Sequence, residues 1–123
     1  MAKTTNDVVT DAALDVLATA TKLVACSAQP TTYTEANVTY FLAGVVIDGT
    51  DFTKANGDVS GRKTTLAQQS SVSITNSGTA THVATIITGS STLLDVTTCT
   101  SQVLTSGGSV TFPAWDHEIT DPA

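Results

Sequence analysis

Asp116, His117 and Glu118 stand side by side in "FPAWDHEITD", residues 112–121, with Trp115 before them and Asp121 after. Three ionisable side chains of these types can hold a metal ion or divide an acid/base step between them. What they can do depends on the element that carries them. On a strand, alternate residues share a face. Phe112, Ala114, Asp116 and Glu118 then lie on one side, and Pro113, Trp115, His117 and Ile119 on the other. Asp116 and Glu118 point the same way, about 7 Å apart, and His117 points away from both. A regular strand therefore disperses the packet. Pro113 moves the segment towards a sheet edge or a bulge. The reading is a structural strand, with Trp115 anchoring it on the core or on a neighbouring subunit.

The remaining reactive residues are more scattered. His82, in "TATHVATII", shares a strand face with Ala80, Ala84 and Ile86 and reads as a hydrogen-bonded sheet residue. A His82–His117 metal pair would lack its third and fourth ligands. "DGTDFTKANGD" carries Asp48, Asp51, Asn56 and Asp58 and is loosely like a calcium loop. Counted from Asp48, position 3 is Thr50 and position 12 is Val59, which has no side-chain oxygen, so the EF-hand pattern fails. There is no G-x-S-x-G, and no Gly-rich phosphate loop precedes a helix. Cys26 and Cys99 lack zinc spacing. They read as two buried thiols rather than a disulfide, and nothing near Cys99 would lower its pKa. The sequence thus predicts no catalytic residue, no metal and no cofactor, and an enzyme is not expected.

The elements that position these residues follow from composition. Charged residues make up 13% of the chain, against about 25% in ordinary soluble domains. Threonine occurs 25 times and serine 11 times among the 123 residues. Threonine is β-branched and suits a pleated surface, so the chain reads as all-β. Short hydroxyl side chains lose little entropy on contact. Such a surface fits a domain packed against neighbours, or an extracellular β-domain. The net charge is −6, and of Lys3, Lys22, Lys54, Arg62 and Lys63 only the last two are adjacent, which argues against a nucleic-acid partner. No apolar run approaches 18 residues, so no membrane helix is expected. "MAKTTNDVV" lacks the pattern of a signal peptide, and export through a cleaved signal is not expected.

Along the chain, "NDVVTDAALDVLATATK" has Asn6 or Asp7 as a cap and Ala13, Val16, Leu17 and Ala20 at helical spacing, which gives one apolar stripe and predicts a short helix over 8–20. Residues 1–7 read as a flexible arm. An alternative places the helical segment itself along a neighbouring subunit. Residues 22–27 are the first strand, ended before Pro30, and "TTYTEAN" is a turn or a single helical turn. Residues 38–47, "VTYFLAGVVI", read as a central strand. Residues 48–63 hold three turn pairs, Asp48-Gly49, Asn56-Gly57 and Ser60-Gly61, and read as an exposed loop, with a hairpin at Asn56-Gly57 possible between "FTKA" and "DVSG". Short strands then follow about every ten residues: "KTTLAQQ", "SVSIT", "ATHVATII", "TLLDVTT", "SQVLT" and "SVTFPAWDHEI". The whole is one domain, an antiparallel β-sandwich, jelly-roll-like or Ig-like, with one short N-terminal helix.

"NGDVSGRK" (Asn56–Lys63), "SGTATHVA", "LLDVTTCTSQVLTSGG" and "PAWDHEITDP" together resemble a family of small virion proteins of tailed bacteriophages. The likeness runs from "DAALD" to "ITDPA". It implies a cement or decoration protein on the outer surface of the head, touching the major capsid protein, and it implies trimers. A tail or head-fibre component is the runner-up within the resemblance. The family offers no catalytic motif, so no site residue is carried over. The residues expected at an interface are Asp7 at the end of the arm, Phe52, Lys54 and Arg62 in the loop, and Trp115, Asp116 and Glu118 near the C-terminal end. A carbohydrate- or receptor-binding β-module is the alternative from another class, although six aromatic residues leave few for a stacking platform.

Overall fold

The computed structural model describes residues 5–121. Asn6 opens the helix α1 (Asp7–Leu17) by accepting a hydrogen bond from the Val8 amide at 2.9 Å, and Asp7 sits in the positive first turn. The expected arm therefore stops short of Asp7: Thr5 donates its amide to Asp121, Asn6 is the cap and Asp7 is helical. The rest of the arm lies outside the described residues.

Among the described residues nine strands follow: β1 (Lys22–Cys26), β2 (Phe41–Val46), β3 (Phe52–Asn56), β4 (Arg62–Leu66), β5 (Gln69–Ser73), β6 (Gly78–Ile87), β7 (Thr92–Leu104), β8 (Ser109–Phe112) and β9 (Trp115–Ile119). All pairings are antiparallel. The larger sheet runs β2-β1-β6-β7, and two smaller ones run β3-β4-β9 and β5-β8. The fold is an all-β, sandwich-like arrangement with one short helix, as the composition predicts.

Alternation along β1 builds two cores. Leu23 and Ala25 face the smaller sheets and join Leu42, Leu66, Val72, Val83, Leu104 and Phe112. Val24 and Cys26 face the other way and join Ala36, Ala84 and Ile86, covered by Tyr33 and Tyr40. A single π-helical turn, Glu35–Thr39, carries Ala36 onto that outer side. The large sheet is thus buried on both faces, which explains why β1 reads as a continuous apolar run.

Several expected elements are placed differently. The run 38–47 is an edge strand starting at Phe41, because Val38 and Thr39 belong to the π-turn and Tyr40 caps it; the central strands are β1 and β6. Residues 48–63 are only partly loop. A 3-10 turn, Gly49–Asp51, leads into β3, which pairs with β4 from Phe52↔Leu66 to Asn56↔Arg62. The turn between them is "GDVSG", which sequence reading places partly in a strand. Its glycines are obligatory: a Cβ on Gly57 would lie 2.1 Å from the Ser60 carbonyl, and Gly61 has φ +67° with a Cβ position 2.0 Å from the Ile119 carbonyl. "TLLDVTT" and "SQVLT" form one strand, β7, kept in register by bulges opposite Ala80/His82 and Thr85/Ile86. "SVTFPAWDHEI" is two strands, because Pro113 ends β8 and the chain crosses from one small sheet to the other.

The sheets meet along one side and part along the other. Ala43 of β2 bridges to Ile74, and the amides of Thr75 and Asn76 both reach the Leu42 carbonyl. At the opposite side, β7 is an edge strand facing the β8–β9 corner.

Candidate functional site: a pinned helix face, a charged face and a groove

The helix is held by charge. Asp11 and Asp15, four residues apart, reach Arg62 Nε at 2.8 Å and Lys54 Nζ at 2.6 Å. Asp11 is the main cause of a raised Arg62 pKa, with a smaller contribution from the Asp7 charge. Arg62 and Lys54 lie at alternate positions of the β3-β4-β9 register, on the face shared by Phe52, Leu66 and Trp115. The helix therefore rests on the inner face of the small sheet and turns Thr10 and Leu14 inwards.

The structure splits the apolar stripe read from the sequence. Of Ala13, Val16, Leu17 and Ala20, the first two are exposed. Ion pairs on the side of Asp11 and Asp15, together with the larger Leu14, fix which side of the helix is buried. Val8, Val9 and Val16 are exposed to 75%, 62% and 55%, and Ala12 and Ala13 lie between them. At 3.6 residues per turn these five side chains form one unbroken apolar arc of about 140°.

The other face of β4 and β9 carries the charged packet. Lys63 Nζ donates to Asp58 at 2.8 Å and to Asp116 at 3.1 Å, and Thr65 donates its hydroxyl to Asp116. Glu118 accepts the backbone amides of Asp58 and Val59. Asp116 is held below the ordinary carboxylate value, first by the Thr65 hydroxyl and then by Lys63; Lys63 is raised by Asp58 and Asp116. Asp116 and Glu118 share this face, and His117 points inwards to Asp95, Nδ1 to Oδ2 at 3.1 Å. The strand disperses "DHE" as its alternation requires.

The other candidate ligands are occupied or apart. Asp48 and Asp51 cap their own 3-10 turn through the amides of Thr50 and Asp48, each at 2.9 Å, and Asp58 is taken by Lys63. His82 pairs in register with Cys26, on the outer side of the large sheet, while His117 lies between the layers. Ala80 belongs to the main core, so it does not share the face of Ala84 and Ile86. Among the described residues, no three His, Cys, Asp or Glu side chains are placed to hold a metal ion. Cys26 and Cys99 are both free; Cys26 is buried and Cys99 half-buried. They belong to opposite sides of the large sheet, and β6 separates their strands. Among the described residues, no helix is long and apolar enough to cross a membrane.

Of the residues expected at an interface, Phe52 and Trp115 pack half-buried against the main core. Lys54 and Arg62 hold the helix, Asp116 and Glu118 lie together on the outer face, and Asp7 is exposed at the helix start. Where β7 parts from β8 and β9, a groove of about 380 Å³ opens between Thr97, Cys99, Phe112, Pro113 and Trp115. Sequence reading missed Asp95, the partner of His117. The parity that sends His117 inwards beside Trp115 was the signal, because a histidine between two sheets needs a polar partner.

Comparison of the chain with protein-family models, with curated proteins and with solved structures gives no match in any of the three.

Proposed function

We propose that the protein is a non-enzymatic virion subunit of a tailed phage, a cement or decoration protein that sits on the outer surface of the head. The observation that carries this reading is the apolar arc Val8-Val9-Ala12-Ala13-Val16, exposed and held in place by two ion pairs. Apolar surface presented by a fixed element gains about 25 cal/mol per Å² when covered, without the cost of ordering a loop. The low charge and the threonine-rich surface suit repeated close contact, and many copies on one shell would add avidity. The partner is the major capsid protein, and the subunit works as a homotrimer.

The test is co-sedimentation of purified protein with phage heads that lack it, alongside its mass by light scattering. The wild type should sediment stoichiometrically as a trimer. Val9→Asp with Val16→Asp, both at exposed positions, should lower affinity at least tenfold, which is about 1.4 kcal/mol. A variant that binds like the wild type removes the helix face from the interface. A wild type that ignores heads removes the cement role.

A second reading, a receptor- or carbohydrate-binding module, is favoured by one observation: the groove with Trp115 in its wall is of ligand-pocket size. Glycan-array binding that Trp115→Ala abolishes, without head binding, would replace the first reading with this one.

A further inference from the structure

Between the two layers lies a small polar group that neither interface uses. Thr64 faces His117 across β4–β9, and Thr85 faces Asp95 across β6–β7. The His117–Asp95 bond at 3.1 Å joins the two pairs and therefore the two sheets. An ionised carboxylate only accepts, so His117 Nδ1 carries the proton of that bond. The hydroxyls of Thr64 and Thr85 are a different matter. Both residues are nearly sealed, at 2% and 3% exposure, and neither Oγ1 has a hydrogen-bond partner. Native proteins rarely leave such groups unmet.

Both hydroxyls line one cavity of about 10 Å³, together with Asp95 and His117. Leu17, Phe52, Leu66 and Trp115 complete its wall. That volume accommodates one water and nothing larger, and a buried water needs two to four polar partners. The two hydroxyls supply two partners, each able to donate or accept, and Asp95 or His117 supplies a third. A cation fits less well. One carboxylate already engaged by His117 and two hydroxyls fall short of the six or more oxygens that a hard divalent ion takes.

We propose that Thr64, Thr85, Asp95 and His117 form a binding site for a single water molecule that bolts the small sheet to the large one. The apolar wall, with Leu17 of the helix beside it, and the two sealed hydroxyls surround the water on its inner side and slow its exchange.

Oxygen-17 relaxation dispersion and water–protein cross-relaxation on the wild type test this directly. The expected result is one long-lived water, with cross-peaks to Thr64 and Thr85. No such signal from the folded protein overturns the proposal, whether or not any variant folds. A second arm uses Thr64→Val, Thr85→Val and the double variant. Each single change strands the water, so the unfolding constant should rise about 5- to 30-fold. The double change removes the need for the water, so its effect should fall clearly below the product of the two singles. Effects that multiply independently overturn the site. So does a stabilisation by sodium over choline salts that the double variant abolishes, since it would assign the site to a cation.

Discussion

The two thiols show what a single layer of chain does to chemistry. Burial, with a smaller contribution from the Cys99 charge across β6, pushes the Cys26 thiol up to about 11, so almost no thiolate forms at neutral pH. Cys99 is raised too, by its own partial burial, but it lines the groove. With excess aromatic disulfide reagent at pH 8, Cys99 should be labelled first, and Cys26 only when the protein is unfolded. Peptide mapping by mass spectrometry over time reads this out, and equal native rates would contradict the burial of Cys26. For the shifted carboxylates and Lys63 the sign is also definite. Asp116, Asp48 and Glu35 are held below their ordinary 3.8, 3.8 and 4.5. A carboxylate lowered in the fold adds stability above its unfolded value and loses it as pH falls through the folded one. Lys63, raised above its ordinary 10.5, adds stability below that value and loses it as pH climbs through the folded one. Denaturant midpoints should therefore fall below about pH 4 and above about pH 10.5. Asp116→Asn should lower the midpoint slightly at pH 7, and the gap to the wild type should close as pH falls through the lowered Asp116 value. A constant gap across that range would detach Asp116 from the acid limb.

At the scale of elements, local rules located most of what they govern. Asn6 caps the helix as its side chain permits, and Asn6→Ala should cost about 1 kcal/mol by chemical denaturation. Gly61→Ala should cost more, about 2 kcal/mol or above, because it adds a left-handed strain to a collision with the Ile119 carbonyl. A Gly61→Ala variant as stable as the wild type would mean that this turn is loose. What local rules did not give was partnership. Helical spacing picked out Ala13 and Val16 as part of the apolar stripe, but it could not show that Arg62 and Lys54 would pair with Asp11 and Asp15 and leave Ala13 and Val16 exposed. Likewise "FTKA" reads only as one arm of a hairpin with "DVSG", inside a stretch that looks like loop among three turn pairs. It became a strand because β4 offered it a five-residue register.

Over the whole molecule, fold class was legible and topology was not. Threonine content and turn spacing carry the all-β assignment by themselves. The sheet order β2-β1-β6-β7 depends on pairings more than fifty residues apart, which no local pattern encodes. The same gap hid the candidate sites. The apolar helix arc needs the ion pairs to set its direction, and the polar quartet needs two sheets to meet. The outward strand face of Asp116 and Glu118 was legible because it depends on alternation alone.

One pairing has a temporal meaning. β9 is the last strand of the described chain, and its partner β4 lies more than fifty residues earlier. The small sheet that carries the helix cannot close until β9 arrives, and loop closure of that length delays it relative to local hairpins. A chain still leaving the ribosome would hold β3 and β4 as a bare hairpin, marginal in water. Trp115 rides on β9 into the half-buried wall of the core. The single indole is therefore a clock for the final step of folding.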